Sequence, residues 1–142
     1  LPSMDNSFES DIISEDARVE MTRQFLARYN SPLEEHAELI VTTSEKYELD
    51  YRLIPAIAMQ ESGLCRRIPE GSHNCWGFGI YGGKVTKFGS YPEAIETVTR
   101  TLANKYKEDH GLVTAEQIMS MYTPSSNGSW ANGVNYFMDK MQ

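Results

Sequence analysis

The chain has 142 residues, 40% of them hydrophobic and 23% charged, which is enough for one domain around one sizeable core. That composition excludes collagen, a long coiled coil and wholesale disorder, and the longest apolar run falls far short of a membrane span. A net charge of −7 with no basic patch argues against a nucleic-acid partner and suits a neutral or mixed-charge ligand such as a glycan; the plainer reading is that the charge only keeps the protein in solution.

Residues 1–13 are polar and are expected as a loose arm, leaving 14–142 as one domain. The chain opens at Leu1 without a leader segment, as a processed or trimmed chain does, and is compatible with a leader or anchor removed upstream. An acidic start at Glu15 and Asp16, followed by Val19, Met21, Phe25, Leu26 and Tyr29, predicts a helix over 15–29. Ser31, Pro32, Leu33 and Glu34 spell a capping box with proline at the first helical position, predicting a helix over 32–47. Asp50 is a possible cap for the next helix. Pro55 is tolerable only in a first turn, so that helix is expected to start near Leu53 and end at Ser62, with Gly63 as its stop.

Cys65 and Cys75 bracket a short loop. They read as a disulfide in an oxidising compartment, contributing about 2–3 kcal/mol by the chain-entropy argument; the alternative is two free thiols packed as small apolar groups. Zinc is not expected, because only His73 is near and a structural site needs four ligands. Over 76–91, Trp76, Phe78 and Ile80 alternate with Gly77, Gly79 and Tyr81, and Gly82–Gly83 turn the chain, predicting a small β-hairpin. Ser90 and Glu93 form a second capping box, and Ala94, Ile95, Val98, Leu102 and Tyr106 carry a helix over 92–107. A short helix over 114–121 and a last one capped by Ser129 complete the reading, which is mainly α with one hairpin (α+β).

Ile54, Ile57, Ala58 and Glu61 fall at i, i+3, i+4 and i+7, one face of a helix. Three are apolar and the fourth is a carboxylic acid in the last turn, where desolvation and the helix C-terminus both disfavour its charge. A carboxyl group kept neutral in this way can serve as a general acid. The competing reading is a glutamate curled to solvent at a helix end. Aromatic, amide and hydroxyl groups around it are candidates for stacking on sugars and bonding their hydroxyl and N-acetyl groups: Ser62, Asn74, Trp76, Tyr81, Tyr91 and Tyr122. Trp130 and Phe78 read better as packing. His36, His73 and His110 read as loop or solvated positions. No nucleophile elbow or phosphate-binding glycine loop is present, and no cofactor or metal is expected.

The segment AIAMQESG (56–63) resembles the helix end that bears the catalytic glutamate in the lysozyme superfamily. NCWGFGIYG (74–82), FGSYPEAIETV (88–98) and YTPSSNGSWANGV (122–134) are similar, in order and spacing, to bacterial endo-β-N-acetylglucosaminidase domains, and also to soluble lytic transglycosylases. The resemblance covers roughly 34–141. It implies a lysozyme-like helical domain, a cleft beside the hairpin, and cleavage of the β-1,4 amino-sugar backbone of peptidoglycan. Glu61 carries over as the acid, with Tyr91 and Asn74 as further site residues. It further implies an extracytoplasmic setting, whether secreted, periplasmic or cell-surface, and a monomer.

The chain departs from the pattern in three ways. The two cysteines are not general to the family. The GLMQ segment of lytic transglycosylases is missing. Of the residues between Glu61 and the helix at 92, only Glu70 is acidic, so the second catalytic group stays open. Hydrolysis by a second carboxylate, assistance by the substrate's N-acetyl oxygen, and internal attack giving an anhydro product all remain, with Tyr91 or Tyr122 available to steady the positive charge. A wall-binding module that has lost activity and a chitin-directed enzyme are the rival expectations.

Overall fold

Leu53, Ile54, Pro55, Ala56, Ile57, Ala58 and Ser62 are all buried, so the helix that carries them is apolar nearly all round and belongs at the centre of the domain. A computed structural model describes residues 4–79, 83–110 and 128–141, with side chains outside 4–14 and 106–110. Its helices are α1 (Met4–Arg28), α2 (Ala37–Lys46), α3 (Leu53–Ser62), α4 (Tyr91–His110) and α5 (Ser129–Lys140), and a 3₁₀ turn (Glu34–His36) precedes α2. Helix α3 packs on α5 and touches α2, which lies between α1 and α4. The core is one cluster drawn from all of them, including Phe25, Leu26, Ile40, Ile57, Ile95 and Val134. The protein is therefore mainly α.

The central helix has the bounds its local punctuation predicts. Pro55 sits in the first turn, where its missing N–H has no intrahelical partner to lose. The stop is a Schellman turn. Gly63 takes a left-handed φ of 62°, its N–H reaches Met59 O at 2.9 Å and Leu64 N–H reaches Ala58 O at 3.1 Å, with Leu64 buried behind it.

Other expectations are corrected. The first helix, expected over 15–29, extends back to Met4. The capping box at Ser31 does not form. Its N–H is taken by Leu26 O, its hydroxyl donates to Leu64 O and accepts from Leu33 N–H, and a 3₁₀ turn fills the space before α2. At α4 the box does form in modified shape: Ser90 Oγ accepts from Glu93 N–H, while the Glu93 carboxylate reaches back to Gly89 N–H. Ser129 begins α5, and Gly128 is its cap. The expected helix over 114–121 lies outside the described residues.

The β-hairpin is not found: among the described residues no strand forms, and Lys84 makes an isolated bridge. Gly77 and Gly79 take φ of 62° and 63°, which ends any extended run there. The two arms are joined by side chains, with Thr86 Oγ1 donating to Gly79 O at 3.1 Å and Asn74 making the remaining links. Asn74 Nδ2 donates to Phe78 O at 2.8 Å and to Thr86 O at 3.0 Å, and its Oδ1 accepts from Phe78 N–H at 3.0 Å. Cys65 and Cys75 are disulfide-bonded. No helix among the described residues is long and apolar enough to cross a membrane.

Candidate active site

The helical spacing that singles out Glu61 holds in three dimensions. Ile54, Ile57 and Ala58 are fully buried, and Glu61 continues their face at the point where α3 leaves the core. Its side chain is half-buried. Burial pushes the carboxyl above its usual range, and a hydrogen bond from the Trp130 indole opposes this in part. That bond runs from Trp130 Nε1 to Glu61 Oε2 at 2.9 Å and ties α5 to the last turn of α3. The other oxygen, Oε1, lies over Gly77, where an added Cβ would stand 2.6 Å from it. Three separate parts of the chain therefore enclose one carboxyl group: α3 supplies it, α5 bonds one oxygen, and the 72–88 segment presents bare backbone to the other.

Several residues expected to touch substrate hold up this arrangement instead. Trp76 is fully buried, and its indole N–H donates to Ile54 O at 3.0 Å, so it belongs to the core and anchors the 72–88 segment on α3. Ser62 is buried, with Oγ 2.7 Å from Cys75 O and 3.0 Å from Ala58 O, and it accepts from Cys65 N–H. It stitches both ends of the disulfide loop to α3. Asn74 is buried and spends its amide on the backbone of its own segment. A group whose donors and acceptors are already met inside the protein has none left for a sugar, so these three expectations are corrected to positioning roles.

Tyr91 is partly buried at the start of α4, and burial raises its phenol. The edge of His73 meets its ring at 4.8 Å and His36 lies at 6.0 Å. His73 Nδ1 is itself bonded to Phe88 O at 2.9 Å. The hydrogen bond to Glu61 comes from Trp130 and not from Tyr91. Tyr81 and Tyr122 lie outside the described residues. Glu70 is exposed in the disulfide loop. No charged neighbour among the described residues contributes to the shift at Glu61. No group of three or more metal-ligating side chains occurs among them either.

Sequence reasoning missed Trp130 and Gly77 as partners of Glu61. Trp130 is indeed packing, as expected, yet its nitrogen faces the carboxyl. Its position 69 residues downstream leaves no local signal. Gly77 carries a clue in its type alone, since a glycine within an aromatic run marks a close approach or a positive φ. No protein-family model, curated protein or solved structure matches the chain.

Proposed function

We propose that this protein cleaves β-1,4 glycosidic bonds in the glycan strands of peptidoglycan, as a glucosaminidase-like hydrolase with Glu61 as the general acid. The observation that carries this reading is the half-buried Glu61 carboxyl, raised by burial and held by one indole N–H. Neutral Glu61 donates its proton to the leaving oxygen as the sugar acquires oxocarbenium character. The indole favours negative charge on Oε2, so the mobile proton belongs on Oε1, which lies over the bare backbone of Gly77. After transfer, the same N–H stabilises the carboxylate that forms.

A second reading is favoured by one observation: among the described residues no charged neighbour perturbs Glu61. An acid with no partner carboxylate among the described residues suits a lytic transglycosylase, in which the sugar's own 6-hydroxyl attacks and gives a 1,6-anhydro end. It equally suits assistance by the substrate's N-acetyl oxygen. The disulfide fits the extracytoplasmic setting this substrate requires, and the reading takes the protein as a monomer that needs no cofactor.

The deciding experiment digests purified peptidoglycan with wild type and Glu61→Gln, followed by mass spectrometry before and after borohydride reduction. Fragments from wild type, with release falling about 10²–10⁴-fold in the variant, support Glu61 as the acid. Reducible ends mean hydrolysis and identify the bond. Ends that resist reduction and are lighter by one water mean transglycosylation. Binding to the wall by both proteins with release by neither would overturn the enzymatic reading in favour of a binding module.

A further inference from the structure

In a chain with 20 acidic and 13 basic residues, a free arginine should find a carboxylate easily. Arg18, Arg23, Arg52 and Arg100 each do, whereas Arg28, Arg66 and Arg67 do not among the described residues. Arg66 and Arg67 are adjacent and exposed, and their guanidinium groups meet no carboxylate among the described residues. They open a cavity of about 340 Å³ whose other walls include Tyr29, Met59, Gln60 and Phe137.

Arg67 is held in place. Arg66 follows the disulfide-bonded Cys65, and Arg67 N–H is bonded to Ser62 O at 2.9 Å. The Arg67 guanidinium lies over Gly63, where an added Cβ would stand 3.1 Å away. It therefore rests on the negative end of α3, which favours a cation there. Two neighbouring guanidinium groups, that of Arg67 seated over Gly63, beside two aromatic rings, a thioether and one primary amide match a definite chemistry. The guanidinium groups take carboxylate oxygens, the rings and thioether take an apolar flank, and the amide takes a peptide group.

We propose that this cavity binds a short peptide bearing free carboxylates. Met59 and Gln60 belong to the same helical turn as Glu61, and successive helical residues are about 100° apart, so the cavity opens about 100–200° round α3 from the carboxyl and does not include it. The peptide is then the branch of the strand that Glu61 cuts, a placement that rests on the proposed glycan cleavage, whereas the binding itself does not.

The test is calorimetric titration of an N-acetylated tetrapeptide with one glutamate side chain and a free C-terminus, against the same peptide with both carboxylates amidated. Wild type and Glu61→Gln should bind the free-carboxylate peptide alike, more weakly as salt rises. Amidation, or the double substitution Arg66→Gln and Arg67→Gln, should weaken binding at least about tenfold, with at most a small fall in melting temperature from the cation lost at the end of α3. Equal binding of the amidated peptide, an unaffected double variant, or displacement by inorganic phosphate at matching concentration would overturn the proposal. Should Glu61→Gln still cut glycan while these binding results hold, the reading of Glu61 fails and the peptide site stands.

Discussion

The two oxygens of Glu61 have different surroundings, and its chemistry follows from that difference. Removing the indole N–H by Trp130→Phe takes away what partly offsets burial, so the carboxyl moves further up. In a pH profile of kcat/KM on peptidoglycan, the alkaline limb of the variant should lie at higher pH than that of wild type. A limb that stays put would mean that Glu61 does not set it. Stability gives an independent check. The folded carboxyl sits above the ordinary value of 4.5, so over a window above 4.5 the native chain keeps a proton that the unfolded chain has released. The stabilisation is complete below about pH 4.5 and drains away as pH rises through the raised value. Glu61→Gln has no proton to lose. Its melting temperature minus that of wild type should grow as pH rises from 4 to 8; a difference independent of pH, or of the opposite sign, would count against the shift.

The punctuation of α3 is local, which is why its bounds could be read from the chain: Pro55 restricts the start and Gly63 supplies the left-handed stop. The same residue types misled over 76–91. Alternating aromatics and glycines look like two strands, but Gly77 and Gly79 leave the extended region, and Asn74 and Thr86 supply the cross-links a ladder would have made. The capping box at Ser31 failed because its N–H is taken by Leu26 O and its Oγ accepts from Leu33 N–H, so neither half of the exchange with Glu34 is made. Asn74→Asp isolates the first effect. It replaces two donors facing the carbonyls of Phe78 and Thr86 with an acceptor in a buried position, at a cost of about 3 kcal/mol or more. A denaturant midpoint shifted accordingly, together with faster amide exchange over 76–88, is the expected outcome. An unchanged midpoint would show that the segment is held by other means.

At the scale of the molecule, the carboxyl was legible in the sequence and its enclosure was not. Helix periodicity reports the face that a side chain shares with its own helix. It cannot report that α5 lays Trp130 across that face or that Gly77 closes on it. The disulfide illustrates the same division. Cys65 and Cys75 could be paired from their spacing, while the Ser62 and Trp76 bonds that independently fix the loop to α3 could not. Because of those bonds, opening the disulfide should lower stability by about 2–3 kcal/mol without dispersing the site. Reduced protein, or Cys65→Ala with Cys75→Ala, should unfold at lower denaturant yet, on the proposed function, cut glycan at the wild-type rate at low temperature. Loss of that rate in a still-folded variant would show that the disulfide shapes the site directly.

The same covalent ring bears on how the protein ages among proteases. Arg66 and Arg67 are the exposed residues just inside it, and exposed loops are where backbone nicks concentrate. A cut after either arginine leaves two polypeptides that the disulfide still joins. Such a nicked molecule would migrate as one species on a non-reducing gel and as two after reduction. Its helices would stay packed, and only the Arg66–Arg67 cavity would lose its continuous backbone.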